Sequence, residues 1–117
     1  MKKDNVILSK SKSFAIRVIK LYQFLSKEKS ESVLSKQLLR SGTSIGANVR
    51  EAHNSMSKAE FKAKMNIALK EASETEYWLE LLSESKYIDD QQFKSIYCDC
   101  NELNRLLISI IKSLNST

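Results

Sequence analysis

Apolar side chains recur every three or four residues in four separate stretches of the chain. Polar and charged side chains fill the positions between them, which is the spacing of helices that each bury one face. The apolar positions are, stretch by stretch, Phe14, Val18, Leu21 and Leu25; Leu34, Leu38, Ile45, Val49 and Ala52; Phe61, Met65, Ala68, Ala72, Leu79 and Leu82; and Phe93, Ile96, Cys100, Leu103, Leu107, Ile110 and Leu114. The pattern predicts helices near residues 10–28, 32–54, 58–85 and 90–114.

Short polar links separate the four predicted helices. Ser57 with Glu60, and Asp89 with Gln92, have the spacing of capping boxes, so they predict the starts of the third and fourth helices. Links of this length make consecutive helices antiparallel. We therefore expect an all-α, up-down-up-down four-helix bundle, a single domain over residues 1–117 in which residues 1–9 form a flexible or partly ordered N-terminal extension.

Helix-breaking residues are almost absent. The chain has no proline and two glycines, Gly42 and Gly46, which lie four residues apart in the second predicted helix. This spacing places both glycines on one helix face, where the missing side chains allow a neighbouring helix to approach closely. We predict close helix packing at Gly42 and Gly46.

The apolar stripes are wider than one bundle core requires. Nine large apolar residues fall outside the narrow core rows, namely Ile16, Ile19, Phe24, Leu39, Ile67, Trp78, Leu81, Leu106 and Ile111. A second buried face, and hence self-association, is one interpretation. A monomer with a wide core is the other, because apolar faces broader than 100° are common in globular helices. We favour self-association.

Charge is distributed unevenly along the chain. The net charge is +5, and residues 1–30 hold eight Lys or Arg against two acids. A basic surface attracts polyanions such as RNA or DNA, and each neutralised phosphate adds a salt-dependent contribution to affinity. The candidate phosphate-binding residues are Lys10, Lys12, Arg17, Lys20, Arg40 and Arg50. A solvated lysine face without a ligand explains the same residues equally well.

Two further polar rows follow the helical spacing. Arg40, Ser44, Asn48 and Glu51 form a row on the second helix, which Glu71 and Glu74 of the third helix can face. A ligand pocket is possible there, but we favour a structural polar network of Arg40, Ser44, Asn48, Glu51 and Glu71 that fixes helix register. Glu76, Glu80 and Glu84 form an acidic stripe, for which we expect basic helix one of the same or a neighbouring subunit to be the partner.

Motifs for catalysis or cofactors are absent from the sequence. His53 is the only histidine, no Glu-x-x-His pair exists for a di-metal site, and we expect His53 to be exposed near a helix end. Cys98 and Cys100 lie two residues apart, so they point to different sides of a helix and cannot pair. The longest apolar run is too short to span a membrane. We expect a cytoplasmic protein that is not an enzyme and holds no metal or cofactor.

Two separated motifs resemble one known family. Residues 34–52 resemble the second helix, and residues 57–61 and 67–79 the third helix, of the four-helix bundle family named for 23S rRNA intervening sequences, also called S23 ribosomal proteins. The match covers nearly the whole chain. Arg50 is a departure, because relatives often carry an acidic or apolar residue at that position.

The resemblance implies small cytoplasmic proteins that assemble into rings, typically pentamers, without known enzymatic activity. A related branch, the accessory variability proteins of diversity-generating retroelements, binds nucleic acid and a reverse transcriptase. Together with the charge distribution, this predicts a homo-oligomeric accessory protein that binds nucleic acid, with RNA as the expected ligand. The alternative is a protein-interaction scaffold with no nucleic-acid role, whose partner is a reverse transcriptase or another protein.

Overall fold

Four long helices make up the computed structural model, which describes residues 2–115. They are α1 (Lys2–Glu28), α2 (Val33–His53), α3 (Lys58–Glu84) and α4 (Asp90–Asn115). Each helix packs against its two neighbours, so that α1 contacts α2 and α4, and α3 contacts α2 and α4. The bundle measures 47 × 21 × 19 Å. The prediction of an all-α four-helix bundle is confirmed.

Contacts between two neighbouring helices run in opposite directions along them, which defines the topology. Gly42 of α2 lies against Val18 of α1, whereas Gly46, one turn further along α2, lies against Ser11. The α3–α4 pair shows the same order. Tyr97 of α4 donates a hydrogen bond to Glu80 of α3, whereas Asn101, one turn further along α4, donates to Glu76, one turn earlier on α3. Consecutive helices are therefore antiparallel, as up-down-up-down topology requires.

The predicted apolar rows form the core. Buried apolar residues from all four helices make one cluster, and its fully enclosed members include Val18, Leu38, Met65 and Leu107. Each such side chain removed from water contributes about 1.5–3 kcal/mol of hydrophobic stabilisation. Burial of one face of every helix is what holds the four segments together.

The start of α1 differs from the prediction. The helix begins at Lys2 and not near residue 10, so residues 2–9 are its first turns and not an extension. Ile7 is fully buried in the core, and Ser11 packs against α2. A polar sequence, Ser9–Lys12, interrupts the apolar row between Ile7 and Phe14, which conceals the helix in the sequence. Met1, Ser116 and Thr117 of the predicted domain lie outside the described residues.

Both predicted capping boxes are confirmed. The Ser57 hydroxyl accepts a hydrogen bond from the backbone N–H of Glu60 at 3.1 Å. Asp89 and Gln92 bond reciprocally, each side chain accepting from the other residue's backbone N–H, at 2.7 and 2.9 Å. These bonds satisfy N–H groups that have no partner inside the helix, and so fix where α3 and α4 begin.

The nine outer apolar residues have three different environments. Ile16, Ile19 and Ile67 are exposed, whereas Ile111 belongs to the buried core. The others are half-buried at the edges of the helix contacts, namely Phe24, Leu39, Trp78, Leu81 and Leu106. A wide core therefore accounts for most of the set, and exposed apolar surface remains on α1 and α3.

Candidate nucleic-acid interface

The close contact between α1 and α2 rests on the two glycines. A Cβ atom at Gly42 would lie 2.8 Å from Cγ2 of Val18, and one at Gly46 would lie 3.2 Å from the backbone oxygen of Ser11. Contacts under 3.0 Å between carbon atoms are repulsive, so the space at Gly42 is already occupied by Val18. The glycines let α1 and α2 lie side by side along their length.

A groove of about 500 Å³ runs along the outer side of this contact. Its apolar surface comes from Leu8, Ala15 and Ala47, and Gly46 exposes backbone there. The remaining lining residues are polar or charged, namely Asn5, Ser9, Lys12, Thr43 and Arg50. Small-ligand sites have this size and this mixture of apolar surface with a few polar groups.

Lys12 and Arg50 bring positive charge to the groove from two different helices. Both side chains are exposed. Neither forms an ion pair with another of the described residues. Their charges are consequently available to an anion from outside the chain.

Two of the predicted phosphate-binding residues, both on α1, are engaged with acids of the same chain. Lys10 Nζ lies 3.2 Å from a carboxylate oxygen of Glu102, and Arg17 Nη1 lies 2.7 Å from Oδ2 of Asp99. Arg17 also donates to the backbone oxygen of Ser95 at 3.2 Å. These pairs join α1 to α4 and reduce the net positive charge of that side of the bundle.

Lys20 lies at a different groove from Lys12. It lines a space of about 250 Å³ between α1 and α4, together with Arg17, Phe24 and Ile96. Its side chain is exposed and, within residues 5–115, has no acidic partner. The structure thus separates the predicted basic residues into the α1–α2 groove, the α1–α4 contact and the α2–α3 contact.

Arg40 is the centre of the α2–α3 contact. Its guanidinium pairs with Glu71 at 3.3 Å and with Glu74, whose carboxylate also accepts from Nε1 of Trp78 at 3.1 Å. Burial lowers the pKa of Arg40, but the hydrogen bonds and charges of Glu71 and Glu74 outweigh it and raise that pKa. Arg40 therefore stays charged and bridges two helices.

The other members of the predicted polar network do not join it. Ser44 donates to the backbone oxygen of Arg40 at 2.6 Å, and Asn48 donates to that of Ser44 at 2.8 Å, so both bond within α2. Glu51 pairs with Lys64 of α3 at 2.8 Å, and Lys64 lies two turns before Glu71 on that helix. Short polar side chains on a helix commonly donate hydrogen bonds to backbone oxygens of the preceding turn.

A buried hydroxyl pair crosses the same helix contact closer to the core. Thr75 donates to the hydroxyl oxygen of Ser41 at 2.9 Å, and both side chains are fully buried. Ser41 lies at the core position between Leu38 and Ile45, and Thr75 at the one between Ala72 and Leu79. These positions were the sequence signal, since a polar residue in a core row must find a partner. This pair, together with Arg40, fixes the register of α2 against α3.

The acidic stripe of α3 does not face helix one of the same chain, so a partner on helix one would have to come from a neighbouring subunit. Glu80 accepts from the hydroxyl of Tyr97 at 3.0 Å, and Glu76 accepts from the amide of Asn101 at 3.3 Å, so their partners lie on α4. Burial, followed by the hydrogen bond to Glu80, raises the pKa of Tyr97 to about 12. Helix one lies diagonally opposite α3 and does not contact it among the described residues.

His53 and the cysteines have structural environments. His53 is half-buried rather than exposed, with Nδ1 3.0 Å from the backbone oxygen of Val49 and its ring edge-on to Phe61. Cys98 is exposed, and burial raises the pKa of the Cys100 thiol, which donates to the backbone oxygen of Ala72. Among residues 5–115 no group of three or more His, Cys, Asp or Glu side chains is placed to hold a metal.

The fold and the groove define the class of protein as a compact helical bundle with a basic, partly apolar groove between its first two helices. The family model described as 23S rRNA-intervening sequence protein matches residues 3–109, and the chain belongs to this family. The predicted resemblance is confirmed. Within the described part of the chain, no helix has the length and apolar character needed to cross a membrane.

A solved structure with the same fold is available for comparison. The chain is 61% identical to a Bacteroides thetaiotaomicron VPI-5482 protein of unknown function from the S23 ribosomal protein family. The two structures superpose with a TM-score of 0.93 over 94% of this chain and 98% of the other. No functionally curated protein matches the chain.

Proposed function

We propose that this chain is a non-enzymatic accessory protein of the cytoplasm that assembles as a homopentamer and binds RNA. The observation that carries the nucleic-acid part is the position of Lys12 and Arg50. They come from two helices to one groove, and neither has an acidic partner among the described residues. The proposal makes these two residues, with Lys20, the phosphate contacts, and excludes Lys10, Arg17 and Arg40 from that role.

Engaged cations contribute less to RNA affinity than unpaired ones. A phosphate that approached Arg17 would have to displace the carboxylate of Asp99, whereas one that approached Lys12 would displace only water and counterions. Counterion release at each phosphate contact is the sequence-independent source of affinity. A ring of five copies would bring five such grooves together, and the affinity for a long polyanion would rise accordingly.

The assembly part of the proposal is supported by exposed apolar surface on two opposite helices. Ile16 and Ile19 of α1 are 48% and 39% exposed, and Ile67 and Tyr77 of α3 are 41% and 54% exposed. Because α1 and α3 are diagonal in the bundle, the two surfaces cannot both be covered by one two-fold contact. A head-to-tail contact between unlike surfaces covers both, and it forms a ring when the rotation between successive copies closes.

RNA titration by fluorescence anisotropy at several salt concentrations tests the proposal. Lys12→Gln with Arg50→Gln should weaken binding of a structured RNA and lower the slope of log Kd against log salt by about two per subunit, because two phosphate contacts are lost. Lys70→Gln is the matched control, since Lys70 is an exposed lysine on α3. Undetectable RNA binding by the wild type at low salt would contradict the proposal.

A protein-interaction scaffold is the second candidate. The exposed Tyr77 lies edge-on to the half-buried Trp78, with ring centroids 5.3 Å apart, and the exposed Ile67 lies further back on the same helix. Aromatic side chains of this kind anchor protein interfaces. A reverse transcriptase is one partner that this candidate allows. Capture from lysate with and without nuclease separates the two functions, because partners held through RNA are lost after digestion and directly bound proteins remain.

A further inference from the structure

We propose that the α1–α2 groove takes one unpaired nucleotide, with the base against its apolar surface and the phosphate at Lys12 and Arg50. This inference rests on the RNA binding proposed above and names the form of RNA that the groove selects. It treats the groove as a base pocket and not only as a charged surface.

The groove has the composition that a nucleobase requires. A base has two apolar faces and a polar edge. The half-buried Leu8 and Ala15 and the exposed Ala47 offer apolar contacts for a face. Gly46 adds exposed backbone to the lining, and the volume of about 500 Å³ lies in the range of small-ligand sites.

Polar groups on the walls suit the edge of a base. The Asn5 amide can donate and accept hydrogen bonds, and the Ser9 hydroxyl lies on the same helix one turn further on. Thr43 donates its hydroxyl hydrogen to the backbone oxygen of Leu39 at 2.7 Å, so its oxygen is left to accept. These groups come from both helices and flank the apolar surface.

Charge at the groove favours a phosphate-bearing ligand over a neutral one. Lys12 and Arg50 are the charged residues of its lining, and both are positive. A paired A-form helix would bring phosphates to them, but its stacked bases would stay out of the groove. Unpaired loops and bulges present bases that can enter a pocket, and proteins read RNA sequence mostly at such sites.

The test compares a fully paired RNA hairpin, the same hairpin with one bulged nucleotide, and AMP, each titrated against the intact protein near physiological salt. We expect the bulged hairpin to bind about tenfold more tightly than the paired one, the size of a single base contact. Ala47→Leu fills the groove from an exposed position, so it should abolish this preference and retain the affinity for the paired hairpin. Ala63→Leu, at an exposed alanine on α3, is the matched control and should change neither.

The outcomes separate this inference from the proposed function. Equal affinity of the wild type for both hairpins overturns the nucleotide pocket and leaves RNA binding standing, whereas binding of neither overturns both. Saturable AMP binding that Ala47→Leu weakens supports the pocket when the bulged hairpin is also preferred. Without that preference, the same AMP result assigns the groove to free nucleotides and overturns its assignment to RNA. The comparison of hairpins on the wild type depends on no variant.

Discussion

Val18 occupies the space that any side chain at position 42 would need. Val18 is fully buried, and its two methyl groups lie 2.8 and 2.9 Å from where a Cβ of residue 42 would stand. A β-branched side chain in a helix has essentially one rotamer, so Val18 cannot turn away. Gly42 is thus fixed by the shape of its neighbour, while the backbone conformation at this residue is ordinary helix.

Gly42→Ala should lower the free energy of unfolding by about 1–2 kcal/mol, because overpacking outweighs the gain of roughly 1 kcal/mol that alanine has over glycine in a helix. In a Val18→Ala background the overlap disappears, and the same substitution should stabilise the protein. Urea denaturation of the four proteins in this cycle measures the coupling. Additive effects of the two substitutions would show that residues 18 and 42 do not compete for space.

The raised pKa of Tyr97 makes the free energy of unfolding depend on pH in the alkaline range. Its pKa of about 12 in the folded protein exceeds the value near 10 of an unfolded tyrosine. Between those values the unfolded chain binds fewer protons than the folded one, so the stabilisation is complete below about pH 10 and is lost as the pH rises through 12.

Tyr97→Phe should therefore flatten the loss of stability at alkaline pH. We expect the wild type to lose more free energy of unfolding than the variant between about pH 9 and pH 11, as measured by urea denaturation at each pH. The difference in phenolate absorbance between the two proteins reports the ionisation of Tyr97 directly. Parallel pH profiles would mean that the hydroxyl is not linked to folding.

At the scale of elements, α2 begins with an unusual cap. The carboxylate of Glu31 accepts hydrogen bonds from the backbone N–H groups of Val33, Leu34 and Ser35 at 2.8–3.0 Å. Glu31 precedes Ser32, which would normally cap the helix but makes no side-chain capping bond. A buried carboxylate at this end also interacts favourably with the helix dipole.

Glu31→Gln should lower the free energy of unfolding by about 1–2 kcal/mol, because a neutral amide keeps one oxygen and loses the charge. Glu28→Gln, at the exposed end of α1, changes the same charge without removing a cap and should be nearly neutral. Thermal unfolding followed by circular dichroism compares the two. Equal effects of both substitutions would exclude a special role for Glu31.

Element boundaries were predictable where the signal is local. The starts of α3 and α4 follow from side chains three residues apart, and both capping boxes form as the sequence suggests. The cap of α2 escaped the sequence because glutamate is not a usual capping residue. The start of α1 escaped it because Ile7 is a single apolar residue before a polar stretch, and its burial depends on α1 lying along the whole of α2.

For the whole molecule, the central question is whether copies of the bundle assemble. We expect light scattering to give a mass five times the 13.4 kDa of one chain. Ile16→Glu with Ile19→Glu should shift the mass towards that of one chain, because two charges enter an apolar contact. Met56→Glu is the control, since Met56 is 92% exposed in the α2–α3 link and should leave the mass unchanged. A wild-type monomer would contradict the ring.

Periodicity alone fixed the number of helices, their order and most core residues, because the helical repeat is written locally and burial of one face follows from it. The four-residue spacing of Gly42 and Gly46 likewise predicts the close packing of α1 against α2 at these residues. These properties require knowledge of neighbouring residues along the chain and little else.

Which charges remain available to a partner depended on contacts between residues far apart in the chain. Lys10 and Lys12 look alike in sequence, yet Lys10 pairs with Glu102 across the α1–α4 contact while Lys12 reaches the α1–α2 groove beside Arg50. Such pairings are set by the rotation of each helix against its neighbours, which no local pattern encodes. The sequence therefore predicts a basic surface, whereas the packing of the four helices decides that Lys12 and Arg50 line the α1–α2 groove without an acidic partner among the described residues.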